Sequence, residues 1–350
     1  MKKVLFATSA LVLSAGFASA EVALSGDGRM GIIYDGSDAQ FSSRARVRFN
    51  LSGESDAGLS FGASFRVDHE NYSSNAYRSA ARGTAGAVWI SGTYGKLSMG
   101  DVVSASERAI GDLYEVGYTD GSFGVDIEEI SYLTGDGVNL TQGPNILYEY
   151  TINNISLYAS ASDGVNTPWF TTPGDSTTDA DADGVRDDTA DVAWSVAGKY
   201  EAENFWVALG YAKHDDAKEI TLGGEYTYNN FSVKGIYADY KNRDVGEGGG
   251  INDFNASDDT GLVSAAANGY ELDKTFGLGL AYQWDATLVE GFYRKDKFKT
   301  DVAGLDDKSF DSFGIGAEYD LGGGAVLAGG IIDTDYLNDT VADFGIKFSF

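Results

Sequence analysis

Three arginines stand at every second position in this chain, Arg44, Arg46 and Arg48, with Arg29 and Arg66 in the runs on either side. An extended chain sends alternate side chains to the same face, so this spacing builds a cationic surface. The segment 103–143 carries the opposite sign: Glu107, Asp112, Glu115, Asp120, Asp126, Glu128 and Glu129, with Arg108 among few bases. Acids on a loop facing arginines on a wall set up a transverse field. Such a field orders water and solute dipoles and biases passage by charge. The plainer alternative is a solvated acidic loop and arginines paired with neighbouring carboxylates.

A second cluster suggests metal chemistry. Asp179, Asp181, Asp183 and Asp187, with Gly184 between them, follow a D-x-D-x-D-G-x-x-D spacing that gathers carboxylates around a hard cation, and glycine permits the tight turn. The twelfth position is Ala190 instead of a bidentate glutamate, although Asp188 and Asp191 are near. Calcium is the expected ion, with an acidic surface loop as the alternative. No cofactor is otherwise required.

Catalytic chemistry finds little to work with. Histidine occurs only at positions 69 and 214, cysteine is absent, and no serine sits in a nucleophile-elbow string. The glycine run 246–250 lacks the Lys-Ser/Thr ending of a phosphate loop. The expectation is a protein that is not an enzyme. A barrel serving as an adhesin or anchor stands as the other class, and conductance separates the two.

Composition narrows the partners. Met1, Lys2 and Lys3 precede a largely apolar stretch to Phe17, and Ala18-Ser19-Ala20 is a small-residue cleavage site, so 1–20 reads as a signal peptide and 21–350 as the exported domain. Without those twenty residues and their two lysines the formal charge moves from −28 to −30. This acidity argues against nucleic acid, which needs a positive footprint, and suits cations and small polar solutes. No run of 18 apolar residues follows residue 20, which leaves strands as the means of crossing a bilayer.

The positioning elements show in the alternation. Ala45, Val47, Phe49 and Leu51 interleave with the arginines, and Ala342, Phe344, Ile346, Phe348 and Phe350 interleave with Asp343, Gly345, Lys347 and Ser349. Period-two runs near 22–34, 41–53, 59–70, 84–94, 96–102, 144–153, 154–162, 190–201, 203–214, 217–229, 231–241, 270–285, 287–299, 309–321, 325–334 and 340–350 predict sixteen strands. Tight turns such as Asn153-Asn154 and Asn229-Asn230 alternate with long segments at 103–143, 163–189, 242–269 and a shorter one at 299–308. That sorting is expected of a transmembrane β-barrel with periplasmic turns and extracellular loops. An open edge in hydrocarbon would cost several kcal/mol per unpaired backbone group, so the first and last strands, beginning at Glu21 and ending at Phe350, are expected to close the sheet. A barrel this wide holds an aqueous channel.

The strings Ser25-Gly-Asp-Gly-Arg-Met-Gly31, Phe41-Ser-Ser-Arg-Ala-Arg-Val47, Gly111-Asp-Leu-Tyr-Glu-Val-Gly-Tyr-Thr-Asp120, Tyr132-Leu-Thr-Gly-Asp136, Tyr319-Asp-Leu-Gly-Gly-Gly-Ala325 and Val341 to Phe350 resemble alphaproteobacterial general porins of the Rhodobacter type. The resemblance runs through the chain after residue 20. It implies an all-β, 16-stranded antiparallel homotrimeric barrel in outer-membrane lipid, a third long loop folded inward, and passive diffusion of small polar solutes and ions. Calcium-binding members exist, but the Asp179–Asp187 loop is not carried over from them.

Overall fold

The computed structural model describes residues 21–70, 86–119, 127–134, 145–162, 192–214, 216–243, 270–337 and 339–350; the side chains of 68–70 are not among them. Sixteen strands run in chain order: β1 (Glu21–Tyr34), β2 (Ala39–Glu54), β3 (Ser60–Glu70), β4 (Gly86–Gly92), β5 (Gly95–Gly100), β6 (Asn145–Ile152), β7 (Ile155–Ser162), β8 (Ala193–Glu201), β9 (Phe205–His214), β10 (Ala217–Tyr228), β11 (Phe231–Lys241), β12 (Tyr270–Trp284), β13 (Thr287–Thr300), β14 (Lys308–Gly322), β15 (Ala325–Thr334) and β16 (Val341–Ser349). Each pairs antiparallel with the next, and β16 returns to β1 to close a barrel. The single described helix, α1 (Ala105–Ile110), lies in the connection between β5 and β6.

The connections sort by end. Two-residue turns join β4 to β5, β6 to β7, β10 to β11, β12 to β13 and β14 to β15. Asn153, Asn229 and Asp285 take φ of 52°, 53° and 49° there; Asn and Asp tolerate this left-handed region, which twist-matched hairpins require. The opposite end carries the longest connections, 101–144, 163–192, 242–269 and one that the period-two pattern does not single out, 71–85 between β3 and β4, together with a two-residue one at 215–216 between β9 and β10.

Alternation assigns the faces as expected. On β1, Val22, Leu24, Met30 and Ile32 are exposed outward while Arg29 is buried inward, and on β2 Val47 and Leu51 are exposed outward. Exposed aromatics ring the short-turn end, among them Tyr200, Tyr228, Phe231, Trp284, Tyr319 and Phe350. Others, including Trp194, Tyr237, Phe276 and Phe313, lie toward the long-loop end. Such girdles mark the two interfaces of a membrane-spanning band.

The closure differs from expectation in one respect. Phe350 exchanges both backbone hydrogen bonds with Gly26, at 2.6 and 2.9 Å, and the seam continues from Asp27↔Ser349 to Tyr34↔Ala342. Glu21 therefore lies short of the seam and is in register with Ser52 of β2 instead. A closed barrel staggers its strands, so the first residue does not meet the last. Gly26 and Gly28 leave room on this outer face: a Cβ there would come within 2.7 Å of the Phe350 ring and 2.4 Å of the Phe348 ring.

The hydrophobic core sits inside the barrel. Ile110, Leu113, Val116, Ile127, Ile130 and Tyr132 of the β5–β6 connection pack with Ile236, Leu272, Phe292 and Phe298 of the inner wall. The loop thus supplies the apolar contact that a wide lumen would otherwise lack.

Candidate functional site

The arginine row is built by register. Across the β1–β2 pairing Arg29 faces Arg44, Asp27 faces Arg46 and Ser25 faces Arg48; across β2–β3 Arg48 faces Arg66. All five lie on the inward face. Like charges directly opposite repel, and the local answers are visible. Asp27 stands 3.5 Å from the Arg44 guanidinium, and the Arg29 guanidinium lies 6.0 Å from the Tyr118 ring centroid. Arg29 and Arg44 are buried at 4% and 9% exposure, Arg46 and Arg66 are half-buried, and Arg48 is exposed to the lumen.

The loop that faces them starts with a capped helix. The Ser104 hydroxyl accepts from the Glu107 amide at 3.1 Å, and α1 ends at Gly111, whose φ of 65° suits glycine. The Ala105 amide donates to the hydroxyls of Ser160 on β7 and Ser195 on β8, each at 2.9 Å. From there the chain follows inward-facing glycines around the wall. A Cβ on Gly210 would meet the Ser106 hydroxyl at 2.5 Å, on Gly223 the Ile110 Cγ2 at 2.4 Å, on Gly277 Leu113 at 2.9 Å, and on Gly330 Val116 at 2.5 Å. These residues belong to β9, β10, β12 and β15, so they form a track in which the loop lies against bare backbone. From composition alone the glycines serve strand twist; their inward parity, together with a loop needing a seat, is the signal that could have found the track.

Two sets of polar anchors hold the loop. Asp343 of β16 accepts from the Tyr118 amide at 3.0 Å, the Thr119 amide at 2.9 Å and the Thr119 hydroxyl at 2.5 Å. On the return leg, Arg243 donates to the carbonyls of Ser131 and Tyr132, the latter at 3.1 Å, and Tyr240 donates to Ser131 at 2.8 Å. Glu219 accepts from the Leu133 amide. Arg294 of β13 donates to the carbonyls of Ile127, at 3.1 Å, and Glu129. Its guanidinium is fully buried and lies 2.9 Å from Asp296, which also accepts from Tyr336 at 2.7 Å and Thr275 at 2.6 Å. Sequence reasoning missed Arg243, Arg294 and Glu219, because nothing local separates a polar side chain that faces water from one that clamps a distant carbonyl.

The acids of 103–143 divide by role. Glu115 is exposed and lines a cavity of about 250 Å³ with Asp27, Arg29, Arg44 and Lys347. Glu107, in the first turn of α1, and Glu129 are half-buried. Glu128 is only 3% exposed, which removes it from the water-facing set. Asp112 accepts from the Ile130 amide at 2.8 Å and so ties the outgoing leg to the return leg. Burial pushes its carboxyl above the ordinary 3.8, against the Ile130 amide and the positive charges of Lys234 and Arg294, which lower it. Arg108 reaches Glu149 of β6 at 2.7 Å. Asp120, Asp126 and the cluster Asp179, Asp181, Asp183 and Asp187 lie outside the described residues.

A closed barrel with an inward loop and a charged lumen has counterparts among known proteins. The family of Gram-negative porins matches residues 7–339. This chain belongs to that family. It is 40% identical over 94% of its length to the whole of a porin from Rhodobacter capsulatus, and 28% identical, with the same coverage, to a porin from Fuscovulum blasticum. A porin structure refined at 1.8 Å resolution superposes with a TM-score of 0.69 at 35% identity, covering 94% of this chain and all of the other. A triple mutant of Rhodopseudomonas blastica porin shares the fold, with a TM-score of 0.63 at 21% identity and the same coverage. The porin is thus a channel of the outer membrane for passive diffusion of small hydrophilic solutes, and the barrel lumen is its path.

Proposed function

We propose that this porin sieves solutes by size and charge at a constriction between the inward loop and the arginine wall. The observation that carries the reading is the shared cavity of Glu115, Arg29, Arg44 and Lys347, where loop and wall charges of opposite sign meet. Glu107 and Glu129 extend the acidic side, and Arg46, Arg48 and Arg66 extend the basic one. In a low-dielectric wall this separation of charge orients dipolar solutes and water across the pore. The protein works as a homotrimer in outer-membrane lipid, reaches it through removal of residues 1–20, and catalyses nothing. Calcium at Asp179, Asp181, Asp183 and Asp187 would draw down the acidity of the outer mouth.

The test is swelling of liposomes that contain the porin, with sugars and amino acids of graded size, alongside bilayer conductance. Small neutral solutes are expected to enter and larger ones to be excluded, with ohmic current steps. Barrels that insert yet give no steps would overturn the reading in favour of an anchor or adhesin.

A further inference from the structure

We propose that the outward face of β9 to β11, at the long-loop end, seats a phosphate-bearing lipid of the outer leaflet, with Lys213, Lys218 and Lys241 holding its phosphate. Register places these three side by side: Lys218 pairs with Lys213 on one flank and with Lys241 on the other. Alternation sends all three outward, since Ala212, Ala217, Glu219 and Tyr240 beside them are buried inward. Directly opposed like charges destabilise a sheet, and this row contains two such pairs in succession.

Neither edge protection nor ion pairing accounts for the row. Lysines guard open sheet edges against pairing with other chains, but the barrel is closed and these are interior strands of its sheet. Three of the four neighbouring outward lysines are balanced: Lys274 lies 3.3 Å from Asp273, Lys295 2.8 Å from Asp311 and Lys299 3.2 Å from Glu271, while Lys297 stands in register with the paired Lys274. Among the described residues, Lys213, Lys218 and Lys241 have no ion pair. Asp239, one outward position below Lys241, lies 3.8 Å from Lys274. Among the described residues the row is therefore a strip of three adjacent outward cations without an ion pair, on a chain whose net charge is −28.

The surroundings select a lipid. Trp194, opposite Lys213 on β8, packs on Tyr211 with ring centroids 5.5 Å apart, and Tyr237 flanks the other side. Such aromatics sit at the headgroup level. Below them Leu209, Ile220 and Leu222 are half exposed on the same face, as acyl contact requires. Seven of the twelve lysines after residue 20 lie outward on β9 to β13 at this end: Lys213, Lys218, Lys241, Lys274, Lys295, Lys297 and Lys299. Lysines at a membrane surface attract anionic headgroups, and long stems let the ammonium reach the phosphate while the methylenes stay among the acyl chains.

The experiment titrates purified, detergent-solubilised porin with bisphosphorylated lipid A, its dephosphorylated form, and inorganic phosphate, and counts bound lipid by native mass spectrometry. The wild type should retain the bisphosphorylated lipid and lose it on dephosphorylation. A Lys213→Gln, Lys218→Gln, Lys241→Gln variant should bind it on the order of a hundredfold more weakly at low salt, whereas Lys295→Gln should bind as the wild type does. In detergent alone the triple variant should melt higher, because the repulsion is gone, and the order should reverse once lipid A is present. Equal lipid retention by triple variant and wild type, or displacement of the lipid by millimolar inorganic phosphate, would overturn the proposal. If the triple variant does not fold, judged by heat-modifiable mobility and conductance, Lys218→Gln alone tests it, with an expected loss of roughly fivefold.

Discussion

At the scale of single residues, neighbours decide what a charge does. Arg44, Arg46 and Arg48 share an inward face that alternation alone makes legible, and the structure adds that Asp27 is in register with Arg46 and stands 3.5 Å from Arg44. Replacing all three by Glu should leave the barrel assembled and move reversal potentials in a salt gradient toward cation preference; unchanged potentials would show that these groups do not set selectivity. Val47, one position out of phase, is exposed on the outer face, and an arginine there should cost about 2–4 kcal/mol if that face meets hydrocarbon near the bilayer midplane, and impair assembly. Asp112 makes a prediction of different kind. Its carboxyl is raised above 3.8 in the folded protein, so the folded chain holds that proton more tightly than the unfolded chain. The contribution to stability is therefore complete at pH below the unfolded value and is lost as pH rises through the folded one. Asp112→Asn keeps an oxygen for the Ile130 amide and removes the titration. Its melting temperature relative to wild type should rise across that acid window and then level off; a difference flat with pH would mean that burial does not perturb Asp112. The seven-acid set read from the sequence was too broad for the same reason: count and spacing do not show that Glu128 turns away from water.

At the scale of elements, the strands were legible and the path of the loop was not. A strand announces its faces every second residue, and predicted and observed ends agree within three residues, the largest difference being 190–201 against Ala193–Glu201. The loop is set by contacts between residues far apart in sequence, such as Arg294 with Ile127 and Asp343 with Thr119, which no local pattern encodes. The glycine track gives this a sharp test. Gly223→Ala would place a methyl 2.4 Å from the Ile110 Cγ2, and overpacking of this kind costs about 1–3 kcal/mol. The variant should melt lower and show altered single-channel conductance as α1 is displaced toward the lumen. Adding Ile110→Ala should restore much of both. A Gly223→Ala porin indistinguishable from wild type would mean that the loop does not rest on this wall. Deleting about ten residues around 111–120 should act in the opposite direction and raise the size limit in liposome swelling.

At the scale of the molecule, closure turns sixteen strands into one object that a bilayer tolerates, and the seam fixes the stagger of the barrel. Sequence alternation required a seam but could not set its offset, because period-two faces are equally satisfied by shifts of two residues. Observed pairing sets Asp27 against Ser349. Since Gly26 and Phe350 exchange both backbone hydrogen bonds, the adjacent Asp27 and Ser349 form a pair without them, where Cα atoms lie about 4.5 Å apart, within the range a disulfide accepts. The chain has no cysteine, so Asp27→Cys with Ser349→Cys reports on this pair alone. Oxidation from the lumen should join the first strand to the last; the oxidised protein should then run faster than the linear chain on denaturing gels even after boiling, and reductant should abolish the difference. Ser25→Cys with Ser349→Cys, two residues out of register, should cross-link poorly. If the second pair closed more readily than the first, the stagger would be two residues from the one described, and the arginines of β2 would keep their inward face while Arg29 met a different neighbour on β16.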